Sequence, residues 1–225
     1  MTDVVTLNPV LATPATDYGR RCESIGRERR TVADLQDAMS NPDFEKAHHD
    51  LLDRLACEYR ASRPLLDRPA RWTIKGGYKS KKDLVGAVKA RGHQVSDWAM
   101  ELVNNKQFVL MAEGDEYDVF ETTVKELTVK YVVTTMELYE IRDRLGFCDA
   151  PFETAMLVRM EYEDQPMDTW QFALSKPLAD ADGDLGVFFV ARNSDGSCVT
   201  GGYADPDNLW GDDDRLLVCR KRLAP

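Results

Sequence analysis

The stretch "GVFFVARNSDGSCVTGGY", Gly186–Tyr203, sets two runs rich in β-branched and aromatic residues on either side of Asn193-Ser194-Asp195-Gly196. Asn, Asp and Gly accept the backbone angles of a tight reversal, so the two runs read as neighbouring strands. The same texture continues outward: "RLLVCRK" (Arg215–Lys221) follows, and "WQFALSK" (Trp170–Lys176) and "LVRMEY" (Leu157–Tyr162) precede. Between them lie the polar connectors "EDQP", "DADGDLG" and "DPDNLWGDDD". This spacing predicts an antiparallel β-meander of about five strands. The alternation of Trp170, Phe172 and Leu174 predicts that one face of the sheet is wet. A helix starting at Thr134 or Thr135, carrying Leu138, Ile141 and Leu145 and stopping at Gly146, is expected to pack on the other face. Residues 129–225 thus read as an acidic α+β sheet domain.

Upstream the periodicity changes from two to 3.6. Ser80 is placed to cap a helix running to Arg91, with Asp83 three residues on, Leu84, Val85 and Val88 as its apolar stripe, and Gly92 as its stop. Ser96 caps a second helix, Ser96–Asn105, aligning Val95, Trp98, Ala99 and Leu102. Phe108–Ala112 and Tyr117–Glu121 then suggest a hairpin turning through Gly114. Helix, turn, helix, hairpin is the element order of a winged helix, so residues 71–128 read as a small basic helix-turn-helix with a β-hairpin. Residues 31–70 read as an N-terminal helical segment and linker. "TVADLQDAM" makes a short helix, and a longer one with Phe44, Leu51, Leu55 and Tyr59 on one face ends at the Pro64 and Pro69 linker. Residues 1–30 lack periodicity and read as an extended or mobile arm.

The composition is that of globular material: 43% hydrophobic, 30% charged, 14 Gly and 10 Pro in 225 residues. No apolar run approaches the roughly 20 residues of a membrane helix, and Asp3 with late arginines is the reverse of a secretory signal, so a cytoplasmic chain with no membrane partner is expected. Cys22, Cys57, Cys148, Cys198 and Cys219 include no CxxC pair, which argues against a zinc knuckle and against disulfides. The net charge of −10 is unevenly spread. Arg54–Arg91 holds eleven Lys and Arg against three Asp and Glu, whereas residues 92–225 hold twelve basic and 26 acidic residues. Such a split suggests polar partners, or each other.

"GGYKSKK" (residues 76–82) invites comparison with a phosphate-binding loop, but Lys79 and Ser80 follow Tyr78 where that loop requires Gly. A broader nucleic-acid reading uses Arg71, Lys75, Lys79, Lys81, Lys82, Lys89 and Arg91 as phosphate contacts, with Trp72 or Tyr78 stacking on a base. Asp97 and Glu101 on the second helix, and Glu113, Asp115, Glu116 and Asp118 after it, oppose a duplex there. In the acidic loop, Asp180, Asp182 and Asp184 have the alternate spacing of a hard-cation site, but Leu185 stands where Gly is needed. A hairpin turn explains the same residues. No cofactor is expected beyond weak Ca²⁺ or Mg²⁺ binding there. Asp205, Asp207, Asp212, Asp213 and Asp214 around Trp210 offer carboxylates for metal or acid–base chemistry without fixing their geometry. His48 and His49 are adjacent on one helix and point to different faces, and His93 sits in a polar turn.

The phrases "VSDWAMELV" (Val95–Val103), "YEDQP" (Tyr162–Pro166), "DADGDLGVF" (Asp180–Phe188) and "DDRLLV" (Asp213–Val218) resemble, in this order, a family of uncharacterised bacterial proteins. The resemblance covers residues 75–220, implies one continuous unit there, and carries no activity or site residue. The leading expectation is a non-enzymatic binding or regulatory protein that docks a macromolecular partner. One form holds nucleic acid through residues 54–91. In an alternative the acidic part meets a basic protein surface, as an inhibitor competing with nucleic acid for it. A metal-dependent hydrolase using the aspartate loops is a further alternative.

Overall fold

In the computed structural model Leu216, Leu217, Val218 and Cys219 are all fully buried, which a strand achieves when both faces of its sheet are covered. The structure describes residues 65–222, together with the isolated helical positions Lys46 and Leu52. The chain divides into two units, Met1–Cys57 and Glu58–Pro225, and all the elements below belong to the second. The expected arm over 1–30, the two N-terminal helices apart from Lys46 and Leu52, and Cys22, His48, His49 and Cys57 lie outside the described residues.

The elements run in the order β1 (Trp72–Lys75), α1 (Lys81–Ala90), β2 (Gln94–Val95), α2 (Asp97–Asn104), β3 (Glu116–Thr123), α3 (Val124–Leu127), β4 (Val132–Thr134) and α4 (Thr135–Arg144). There follow α5 (Thr154–Glu161), β5 (Thr169–Ala173), β6 (Leu178–Ala179), β7 (Leu185–Asn193), β8 (Gly196–Tyr203), β9 (Leu209–Gly211) and β10 (Arg215–Lys221). The fold is α+β on a mostly antiparallel sheet ordered β1-β3-β10-β5-β7-β8-β2, with β6 paired to β7. The β10–β5 and β2–β8 pairs are parallel. A separate two-stranded ribbon joins β4 and β9. Among the described residues no helix is long and apolar enough to cross a membrane.

Side chains alternate across the sheet and so sort the apolar runs into two cores. Leu217 and Cys219 join Val119, Ala173, Phe188 and Val190 beneath α1, α2 and α5, whereas Leu216 and Val218 join Phe120, Phe172, Val187 and Trp210 with α3 and α4. The β7–β8 hairpin forms through the Asn193↔Gly196 pair that the turn residues indicate. On β8, a Cβ at Gly201 would stand 2.7 Å from the Trp98 ring, so glycine there lets α2 lie close on the strand.

Four expectations are corrected. Leu157–Tyr162 is not a strand: Thr154–Met160 is buried on all sides in α5, and a short apolar run reads alike for a buried helix and a strand. No hairpin joins 108–112 to 117–121, because both edges of β3 are already taken by β1 and β10. The β5 face expected to be wet is covered, since Gln171 and Ala173 are as buried as Phe172 and Leu174. The Pro-flanked linker carries a short helical turn, and its Leu65 enters the second core at 1% exposure. In addition, β1, β2 and β3 hydrogen-bond into the same sheet as the strands beyond residue 129.

Candidate functional site

Ser80 caps α1 by accepting the Asp83 N–H at 3.1 Å, while its hydroxyl donates to the Asp83 carboxylate at 2.8 Å. Leu84, Val85 and Val88 turn toward the core, which leaves Lys82, Gly86 and Lys89 along the outer face at helical spacing. Ser96 caps α2 through the Ala99 N–H at 3.1 Å, and Ala99, Leu102 and Val103 are buried. Lys81 ties the two helices together. Its ammonium donates to the carbonyls of Val103 and Asn105, each at 2.8 Å, at the α2 C-terminus, where cations are favoured. Burial pushes the Lys81 pKa down. Between the helices runs a groove of about 470 Å³, floored by Val85, Gly86, Met100 and Val103 and rimmed by Lys81, Lys82 and Lys89. A Cβ at Gly86 would meet no atom within 4 Å, so the groove is open at its centre.

Apart from Lys79, the other expected phosphate contacts are occupied within the chain. Lys75 pairs with Glu116 at 2.6 Å. Arg91 pairs with Glu161 at 3.0 Å and donates to the Met160 carbonyl at 2.5 Å. Arg71 lies over the Trp72 and Tyr162 rings at 4.7 and 4.4 Å and pairs with Glu121 and with Asp164. Trp72 packs on Tyr162 at 4.9 Å, and Tyr78 packs on the first core with its hydroxyl 4.0 Å from the Met160 sulfur. Lys79, Lys82 and Lys89 are exposed and hold no ion pair among the described residues.

In the acidic loop, one Asp180 carboxylate oxygen accepts the N–H groups of Asp182 and Asp184 at 3.0 Å each, and the Asp180 N–H donates to the Asp184 carbonyl at 2.9 Å. The loop closes the β6–β7 hairpin. Among the described residues no group of three or more His, Cys, Asp or Glu side chains is placed to hold a metal ion.

One cluster has no signature in the sequence. Glu121, on β3, accepts from Arg71, from the Tyr162 hydroxyl at 3.0 Å, from Gln171 at 2.5 Å and from Arg215 at 3.2 Å. Gln171 also donates to the Tyr162 oxygen at 2.9 Å. Burial would lower the Arg71 pKa, but Glu121, Tyr162 and Asp164 outweigh it and hold it raised. These residues line or back a cleft of about 320 Å³. They are drawn from positions as far apart as Arg71 and Arg215 and meet because β3, β10 and β5 are adjacent in the sheet. With four donors on Glu121 the cluster is an ionic joint that ties the strands together.

Fold and groove together define the class: an α+β chain on a doubly covered, mostly antiparallel sheet, with an open helical groove on one side. No family model matches this chain, and neither a curated protein nor a solved structure matches it.

Proposed function

We propose that the protein is a non-enzymatic docking module whose α1–α2 groove seats an acidic, amphipathic segment of a protein partner. The observation that carries this reading is the combination of an apolar floor with a lysine rim. Apolar side chains of a partner would gain from leaving water over the half-buried Met100, and its carboxylates would answer Lys82 and Lys89. Nucleic acid would use the lysines but gain little from the floor, and the two aromatics suited to base stacking, Trp72 and Tyr78, are packed inward.

The test is fluorescence anisotropy with three labelled probes: an amphipathic helix of Leu and Glu, double-stranded DNA and single-stranded RNA. The peptide is expected to bind, and Lys82→Glu with Lys89→Glu to weaken it by about tenfold or more. Gly86→Leu, which fills the groove without changing charge, should weaken it as well. Binding of nucleic acid with a steep salt dependence, and none of the peptide, would overturn the reading in favour of phosphate contacts.

A further inference from the structure

The molecule carries a second surface that fits this groove. β4 and β9 pair Val133 with Trp210 and Thr134 with Leu209. Val133 and Trp210 point inward, at 1% and 6% exposure, with Trp210 stacked on Phe172 at 4.3 Å and donating to the Thr135 hydroxyl at 2.9 Å. The ribbon is therefore firmly seated. The ribbon nevertheless shows water two large apolar side chains, Leu209 at 67% and Val132 at 53%, and the residues next to β4 in the chain add Tyr131 at 78% and Met136, in the first turn of α4, at 55%. On either side of β9 in the chain stand Asp205, Asp207, Asp212 and Asp213, none with an ion pair among the described residues. Of the nearby bases, Lys130 is held by Glu137 at 2.7 Å, and Lys125 is exposed. A seated ribbon with exposed apolar side chains, flanked in the chain by uncompensated carboxylates, marks an interaction surface.

We infer that a partner seated in the α1–α2 groove is a second copy of this chain, presenting its β4–β9 ribbon. This rests on the docking reading above and names its partner. The two surfaces are opposite in charge and alike in apolar character: lysines around a recessed floor, aspartates flanking β9 in the chain with its exposed Leu209. They cannot meet within one molecule. The groove belongs to the core beneath α1 and α2 and the ribbon to the core on the far side, with the sheet between. The pairing is thus between the groove of one copy and the ribbon of another, and the rotation between copies sets whether it closes as a ring or continues as a chain.

Sedimentation velocity of the full chain over a concentration series tests this. Wild type is expected to associate as concentration rises, and to retreat toward monomer with added salt. Lys82→Glu with Lys89→Glu, and separately Asp207→Lys with Asp213→Lys, should each weaken association about tenfold or more. Mixing the two variants should restore it, because the unaltered ribbon of one meets the unaltered groove of the other and the reversed groove meets the reversed ribbon. All four positions are exposed, and a circular-dichroism melt confirms that each variant is folded. A wild type that stays monomeric at every concentration overturns the inference, as does a mixture that fails to restore association. If that monomer still binds the Leu/Glu peptide and loses it in the lysine variant, docking stands and self-pairing falls. If it binds no peptide, both fall.

Discussion

Glu153 sits at the N-terminus of α5 with no exposed surface. One carboxylate oxygen accepts the Met111 N–H, and the other has no hydrogen-bond partner among the described residues. Burial pushes its pKa up, and the Met111 bond only partly offsets this. A raised folded-state pKa means that the native chain holds this proton more tightly than the unfolded one. The stabilisation is full below the ordinary glutamate range and fades as pH rises through the raised value. Glu153→Gln keeps the shape without the charge. Denaturant midpoints of the two proteins should therefore agree at pH 4 and diverge toward neutrality, with the glutamine form ahead by about 1–3 kcal/mol. A difference that does not change with pH would mean that the carboxyl is not buried neutral. The sequence marked Glu153 in no way, since burial of an acid is a consequence of neighbours brought from other elements.

At the scale of elements, helix ends were more legible than strand identity. Ser80, Ser96 and Thr134 cap the helices that their positions predict, because capping is a bond between residues three apart. The short apolar runs were read less well: α5 passed for a strand, and residues 108–112 passed for half of a hairpin. Packing between elements also yields a test. On β8, an added methyl at Gly201 would collide with Trp98 at 2.7 Å, and the ring is itself wedged against Tyr203 at 4.7 Å. Gly201→Ala should cost about 1–3 kcal/mol of overpacking, read as a lowered melting temperature. Trp98→Leu in the same background should recover part of that loss by vacating the space. If Gly201→Ala melts with wild type, α2 does not lie as close to β8 as described.

For the whole molecule, the charge split in the sequence resolves into two parts. Lys75 and Arg91 are answered by Glu116 and Glu161, so much of the basic stretch binds the acidic remainder. Lys82 and Lys89 on the α1–α2 rim, and the aspartates flanking β9 in the chain, hold no ion pair among the described residues. Several carboxylates are tuned by such pairing. Glu137 is held below the ordinary range by Lys130 and the Thr134 backbone, Glu116 by Lys75, and Asp115 by Lys221. Burial opposes the shift at Glu126, yet Arg68 and Thr122 still hold it low. A lowered folded-state pKa adds stability above the ordinary carboxylate range and loses it as pH falls through the lowered value. Stability should therefore drop steeply below about pH 4, which a urea titration series would show. A midpoint that is flat from pH 5 to pH 2.5 would contradict these pairings.

By itself the sequence determined the α+β class, the capped helices, the β7–β8 hairpin and the separation of charge. Each of these rests on bonds or periodicities within a few residues, which local chemistry writes directly. Only the tertiary structure decided that the sheet is covered on both faces and that β3 lies between β1 and β10. It also decided that Glu121 gathers Arg71, Tyr162, Gln171 and Arg215, and that a lysine-rimmed groove and the β4–β9 ribbon lie on opposite sides. Those depend on which strands lie side by side. Strand order is set by the sum of many long-range burials, and no single spacing in the chain records it.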